Sequence, residues 1–526
     1  MALNRLKLLV LNKKYVGLLL GVAMFLAFTG GGAAADESLA ASLNTALSQP
    51  SKNKSKVSAV VVDVHTGDTL YANRYANDGF IPASNMKLVT SAVALHTYGP
   101  EAKFTTTLAV AGDDLLVIGT GDPAFGDAKL AERDGRTPMS VLDDWAMALR
   151  NAGIVKIKGD LVVIDTVFDD KLVHPTWSSN NRLQWYGAPV AGVSFNSNCV
   201  DFTFVPTSAG KSATILTVPA EGGFVVQGSV KTVGKDGKHN PVLGKRPAPE
   251  KGMSVYTVRG NLKQRSGPHP KPVDDPRLFL GEVLKAHFAR HGIEIAGHVR
   301  LEERVTSEMA QRSRVIATHQ TALPDILGRV NTDSQNMMAE ALAKLNGWAY
   351  ELRQGNLRDR GTWIGGHAAA IAFLKSQGID TVSVVSADGS GLSRDNRVSA
   401  AVLARLLETM LRDHEHSEYY LDSLAVSGVR GSFRKRLKSL TGRVFAKTGT
   451  INGVSSLSGY VFADNGRIAA FSILHNGPAG GFRQQQDRAV QAISDWLNDQ
   501  PGVAIEDPDV VEAMRHVGLL AEPVAQ

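Results

Sequence analysis

Apolar and polar positions fall into three successive textures along this chain. In the first, Leu39, Leu43 and Leu47 recur every four residues and predict a short amphipathic helix. The β-branched run at 57–64, the turn His65-Thr66-Gly67-Asp68 and a second run at 69–73 predict a hairpin. Met86, Leu88, Val89, Ala92, Val93 and Leu95 then follow Pro82-Ala83-Ser84 at roughly helical spacing, which predicts a buried helix with Ser84 on its first turn. In the second texture, from about 104 to 320, short apolar runs (115–118, 161–164, 224–230, 255–258) alternate with turns rich in Gly, Pro, Lys and Asn. That pattern predicts one or two mostly β modules, with single helices at 141–150 and 279–291 and a polar loop at 231–251. In the third, a helix runs from near Pro324 towards Val330, a polar elbow covers 331–336, and a second helix carries Met338, Leu342 and Leu345. A strand at 382–385 leads into a glycine-rich loop. Strands at 443–447, 454–463 and 468–474 predict an antiparallel meander, and Val490, Ile493 and Leu497 a closing helix.

These textures imply an α/β (α+β) domain, an antiparallel sheet flanked by helices, interrupted by the β-rich stretch. The expected domains are 36–103 with 321–503 as one discontinuous unit, 104–320 as the insertion, and 504–526 as a tail. A length of 526 residues exceeds one ordinary domain, and 43% hydrophobic with 21% charged residues excludes a disordered or integral membrane chain. The first 35 residues read as an export signal: Arg5, Lys7, Lys13 and Lys14, an apolar stretch at 15–29, then Ala33-Ala34-Ala35 as a cleavage site after Ala35. Export places the protein in the periplasm or cell envelope, with a retained anchor as the alternative. The formal charge is +6, and removing those four bases leaves about +2, so the basic balance does not call for a nucleic-acid partner. Cys199 is the single cysteine; no internal disulfide forms, and it reads as a small buried apolar residue.

The candidate chemistry lies in three places. Ser84 and Lys87 stand one helical turn apart, which suits a hydroxyl nucleophile with its own amine base at a helix N-terminus. Ser-x-x-Lys recurs at Ser51/Lys54, Ser208/Lys211 and Ser432/Lys435, so the spacing gains meaning only from the buried helix after Ser84. Ser334 and Asn336 sit in the polar elbow, where Ser334 suits proton relay to a leaving amine and Asn336 suits holding the substrate amide and Lys87; Ser-x-Asn also occurs at Ser178 and Ser194. Lys447-Thr448-Gly449-Thr450 occurs once. Its glycine leaves room for a substrate strand to add to the edge, with Lys447 and Thr448 facing a terminal carboxylate. The amides of Ser84 and Thr450 suit an oxyanion hole. The sequence calls for no cofactor and no metal: His414-Glu415-His416 with Glu418 has ligand-like chemistry but the spacing of a solvated helix end.

Together the three motifs resemble the set found in penicillin-binding proteins and class A β-lactamases. Pro82-Ala83-Ser84-Asn85-Met86-Lys87-Leu88, Gly119-Thr120-Gly121-Asp122-Pro123, Ala387-Asp388-Gly389-Ser390-Gly391-Leu392-Ser393-Arg394 and Phe445-Ala446-Lys447-Thr448-Gly449-Thr450 look like the penicillin-binding protein 4 type of D-alanyl-D-alanine carboxypeptidase and endopeptidase, peptidase family S13. The 250 positions between Ser84 and Ser334 match that family's long insertion. The resemblance implies a serine-transpeptidase/β-lactamase-like fold and cleavage of peptidoglycan stem peptides through an acyl-enzyme on Ser84, which β-lactams would also acylate. It implies a role for Arg394 near the substrate's side-chain end. Ser178-Ser179-Asn180-Asn181 stands where the family often has an acid that grips diaminopimelate. A β-lactamase and a non-catalytic wall-binding protein are the alternatives. Oligomeric state is not legible.

Overall fold

The computed structural model describes residues 37–48, 55–247, 252–356, 360–478 and 480–503, with positions 508, 511 and 515. The stretch that reads as an export signal, the Ser51/Lys54 pair and nearly all of the tail lie outside the described residues. The chain forms two compact units. The first takes residues up to Ala102, Leu327–Gln335 and those from Trp363 onward; the second takes Lys103–Ile326 and Asn336–Thr362. Among the described residues no helix is long and apolar enough to cross a membrane.

The first unit is built on a six-stranded sheet in the order Ala425–Val426, Val444–Ile451, Val454–Phe462, Ile468–Asn476, Lys56–Asp63, Thr69–Ala72. Every neighbouring pair is antiparallel. Lys56–Asp63 is apolar nearly throughout because both of its faces are covered. Ala59 and Val61 join Leu39, Leu43, Val490 and Ile493 in one core. Val60 and Val62 are equally buried and, by strand alternation, point to the other face. There Ala400–Leu411 packs on Lys56–Asp63 and Ile468–Asn476, while Glu37–Ala46 packs on Phe482–Asp499.

The second unit holds a five-stranded sheet in the order Val299–Glu302, Leu161–Asp165, Asp114–Gly119, Lys103–Ala111, Ser313–Ala322. Two three-stranded sheets and two short strand pairs accompany it. Its core brings Phe125, Trp145, Phe195, Phe279 and Leu284 together, with Phe125 and Trp145 ring centroids 4.9 Å apart. Asp122, inside the Gly-Thr-Gly-Asp-Pro stretch, is fully buried and ties that turn to a strand. Its carboxylate accepts from the Ala124 amide at 2.9 Å and Thr321 Oγ1 at 3.0 Å. Burial pushes its carboxyl up to about 7. Cys199 begins the strand Cys199–Val205; it is buried, and desolvation raises its thiol far above the usual range.

Several elements differ from the pattern-based expectation. No strand forms at 382–385; Val385 makes one isolated bridge to Arg397, and Val382 is 93% exposed. Three valines around Ser383, the first of them open to solvent, do not hold a strand. The expected loop at 231–251 instead contains the strand Val242–Arg246, which pairs with Ser254–Arg259. Ser84 lies in a 3₁₀ turn, Ala83–Asn85, that precedes the α-helix Met86–Tyr98. The Lys-Thr-Gly run falls inside Val444–Ile451 rather than at a strand end.

His475, in Ile468–Asn476, is fully buried and stacks on Phe482 with centroids 4.7 Å apart. Burial pushes its imidazole down from 6.5 to about 4. The unfolded chain therefore binds a proton near pH 6.5 that the folded chain refuses until about pH 4, so this residue's contribution is complete above 6.5 and lost as pH falls towards 4. The full difference corresponds to about 3 kcal/mol. In urea unfolding at pH 7.5 and pH 5, His475→Phe is expected to lose less stability on acidification than the wild type.

Candidate active site

Ser84 is presented by a short turn whose backbone is under constraint. Ala83 has φ 46, a left-handed conformation that costs on the order of 1 kcal/mol outside glycine. Pro82 caps the turn, and its carbonyl accepts from Ser456 Oγ at 2.6 Å. Lys87, one turn on, is fully buried. Its Nζ donates to Ser84 Oγ at 3.1 Å and to the Ser390 carbonyl at 2.8 Å. Lys87 is thus held by the glycine-rich loop, and that loop is organised by Asp388. The Asp388 carboxylate accepts from the amides of Gly391 (2.8 Å) and Ser393 (2.6 Å) and from Asn396 Nδ2 (2.7 Å). Thr90 Oγ1 fastens the same loop through the Gly389 carbonyl at 2.8 Å.

Ser334 follows the helix Leu323–Asn331 and lies next to the end of the first unit's segment Leu327–Gln335. It has φ 61, again left-handed without being glycine, a state that persists only where surroundings enforce it. Asn331 Nδ2 donates to Ser91 Oγ at 3.0 Å and Ser423 Oγ at 2.8 Å, and Thr332 Oγ1 donates to the Ser423 carbonyl at 2.7 Å. So fixed, Ser334 Oγ accepts from Lys447 Nζ at 2.9 Å. Lys447 is fully buried and also donates to the Thr448 carbonyl at 2.9 Å. Burial first, and the charge of Lys87 second, push its amine well below the usual lysine range; Asp333 opposes them.

Val444–Ile451 is bordered on its outer side only by the short strand Ala425–Val426, which pairs at Phe445 and Ala446. From Lys447 onward no strand among the described residues pairs with that edge. Gly449 is where this strand passes the Ser84 turn. A Cβ there would stand 2.9 Å from the Ser84 nitrogen and 2.1 Å from Ser456 Oγ. Gly391 presses from the other loop, where a Cβ would lie 1.7 Å from the Ala83 carbonyl oxygen at φ +83. Thr448 Oγ1 bonds Ser432 Oγ at 2.7 Å, and Thr450 is exposed opposite Ser455. Arg394 is exposed and donates to the Asn452 carbonyl at 2.8 Å, close along the chain to Thr450.

The first unit therefore brings Ser84, Lys87, Ser334, Lys447 and Gly449 together. Asn336 belongs to the second unit, where it opens the helix Asn336–Arg353 and its Nδ2 donates to the Tyr186 carbonyl at 2.8 Å. Of the other Ser-x-x-Lys pairs, Ser208 and Lys211 occupy a bend and turn, and Ser432 a 3₁₀ turn, with no buried helix following. Sequence reasoning passed over Asn85. In the orientation that satisfies both ends of its amide, Asn85 donates to the Lys447 carbonyl at 3.0 Å and accepts from the Ser458 amide at 3.1 Å. A polar side chain at the start of an apolar helical run was the available signal. The Ser390 carbonyl left no signal, because any residue supplies one.

The sequence model of the D-Ala-D-Ala carboxypeptidase 3 (S13) family matches residues 39–500. The chain belongs to this family. It is 31% identical over 462 residues to the D-alanyl-D-alanine carboxypeptidase of Actinomadura sp. (strain R39), covering 83% of this chain and 81% of that protein. It is 26% identical over 423 residues to the D-alanyl-D-alanine carboxypeptidase DacB of Haemophilus influenzae, covering 76% and 81%. The crystal structure of penicillin binding protein 4 (dacB) from Haemophilus influenzae shares the fold of this S13 enzyme, with TM-score 0.69 and 22% identity over 88% of this chain and 99% of that one.

Gly391 gives a direct test of the packing around Ser84 in this carboxypeptidase. Gly391→Ala is expected to displace the turn and slow acylation by a fluorescent penicillin about 100-fold, the usual consequence of a misplacement near 1 Å. Stopped-flow labelling measures this, with circular dichroism confirming that the variant is folded.

Proposed function

We propose that this S13 D-Ala-D-Ala carboxypeptidase works through an acyl-enzyme on Ser84, with Lys87 as the base. The observation that carries the reading is the Lys87 amine 3.1 Å from the Ser84 hydroxyl, on the N-terminal turn of a buried helix. In the proposed cycle Lys87 takes the Ser84 proton as Oγ attacks the carbonyl of the penultimate D-alanine. Ser334, hydrogen-bonded to Lys447, relays that proton from Lys87 to the departing amine, so the terminal D-alanine leaves and Lys87 is again a free amine. Water then attacks the Ser84 ester and gives its proton to Lys87, which returns it to Ser84 Oγ as the acyl bond breaks and the shortened peptide leaves.

The free edge of Val444–Ile451 favours substrate bound as an added strand, with Lys447 and Thr448 at its carboxylate. The depressed Lys447 amine gains a proton partner when that carboxylate arrives, so binding is coupled to proton uptake. The amides of Ser84 and Thr450 serve as oxyanion donors, each worth roughly 3 kcal/mol of barrier. Asn336 takes the substrate amide, a role that follows from the family motif. Arg394 serves the side-chain end of the peptide. We further propose that the substrate is the stem peptide of peptidoglycan in the cell envelope, reached by export on residues 1–35, and that β-lactams acylate Ser84.

Ser84→Ala and Lys87→Ala are expected to abolish labelling by fluorescent penicillin, read on a denaturing gel; labelling that persists in Ser84→Ala means the nucleophile is elsewhere. Lys447→Ala is expected to raise KM for a D-Ala-D-Ala peptide by about 10- to 100-fold, the value of a charged hydrogen bond, with a smaller effect on kcat. Mass spectrometry of monomeric and cross-linked muropeptides separates carboxypeptidase from endopeptidase action. Penicillin kinetics separate both from a β-lactamase, which would turn the drug over steadily rather than retain it.

A further inference from the structure

The second unit carries a group of side chains that the hydrolytic reading leaves unused. Ser140–Asn151 presents Asp143 in its first turn, and Pro276–Arg290 presents His287 with His291 at its C-cap. His287 and His291 are four residues apart and so share one helix face. Asp143 Oδ1 lies 2.9 Å from His287 Nε2 and 3.3 Å from His291 Nε2. One ligand atom from each of the three lies within 4.8 Å of the others.

Two features distinguish this trio from an ordinary ion pair. His287 is 7% exposed, yet its Nε2 makes no well-aligned hydrogen bond. Asp143 Oδ1 approaches that Nε2 to 2.9 Å outside the alignment of a hydrogen bond, so both atoms keep the capacity to act as ligands. The spacing also fits. Ligand bonds of about 2.0–2.1 Å in a tetrahedral zinc site place ligand atoms about 3.3 Å apart. Neighbouring charges are occupied elsewhere: Arg290 pairs with Glu221, and Arg150 Nη1 donates to the His291 carbonyl at 2.8 Å, which holds the C-cap in place.

We propose that Asp143, His287 and His291 form a site for a divalent transition ion of the Zn²⁺ class, clipping the two helices of the second unit together. Two imidazoles and one carboxylate favour Zn²⁺, Co²⁺ or Ni²⁺ over Mg²⁺ or Ca²⁺, which take oxygen ligands. Asp143 and His291 are partly exposed, so an ion reaches the site from solvent and water completes its coordination. The ion belongs to the folded helix pair and stabilises it by mass action.

The test uses the full mature chain, purified without a histidine tag and stripped with a chelator. ZnCl₂ is titrated against a chromophoric competitor, and Tm is followed by scanning fluorimetry. One equivalent of Zn²⁺ per chain and a Tm that climbs with Zn²⁺ are expected. His291→Ala removes a partly exposed ligand at a helix end and is expected to abolish both responses while its metal-free Tm stays close to that of wild type. Asp143→Asn serves as the second variant and is expected to weaken binding. His414→Ala, in the cluster that the sequence offers, is expected to bind as wild type does. The proposal is overturned if wild type takes up no saturable Zn²⁺, if His291→Ala binds and stabilises equally, or if Mg²⁺ reproduces the Zn²⁺ shift.

Discussion

Two fully buried amines, those of Lys87 and Lys447, set the terms for the first unit. Removing an ammonium group from water costs several kcal/mol unless partners replace the lost hydration. Lys447 meets only neutral oxygen acceptors, the Ser334 hydroxyl and the Thr448 carbonyl, and its amine falls accordingly. Lys344 in the second unit is equally buried but donates to the Asp169 carboxylate at 2.7 Å and to the Lys171 carbonyl. Burial lowers the Lys344 amine as well, but there a hydrogen-bonded carboxylate opposes the fall, whereas the hydrogen-bond acceptors of Lys447 are a hydroxyl and a carbonyl.

The surroundings of Ser84 exist to let two pieces of backbone come unusually close to a third. Gly391 and Gly449 are the points of closest approach, and neither tolerates a side chain there without displacing backbone or the Ser456 hydroxyl. Asn85, Ser456 and Asp388 then supply the hydrogen bonds that turn proximity into a fixed geometry. Two left-handed residues, Ala83 and Ser334, carry the conformational cost. Such strain survives because the network over-determines both positions.

Much of this was legible beforehand, for reasons that differ by element. The hairpin at the start and the meander near the end announced themselves through dense β-branched runs and turn residues, and Lys56–Asp63, Val454–Phe462 and Ile468–Asn476 follow them closely. Ser84 and Lys87 were readable because one helical turn brings them together locally. The Ser334–Lys447 contact spans 113 positions, and only motif identity pointed to it. The strand expected at 382–385 failed because period and β-branching do not reveal whether a covering layer exists. Asp143 and His287 are 144 positions apart, so no local pattern joins them; the four-residue interval between His287 and His291 was the sole trace, and it passed unremarked.

Cys199 carries one more implication. It is buried in the second unit at the head of the strand Cys199–Val205. A thiol so placed is inert to oxidants and alkylating reagents while its neighbours stay packed, and it has no sibling with which to scramble. Its rate of modification is therefore a clock for breathing of that unit alone, installed without engineering and silent to events around Ser84. With a single cysteine the chain needs no catalyst of disulfide exchange to fold, so its maturation is governed by packing rather than by redox supply.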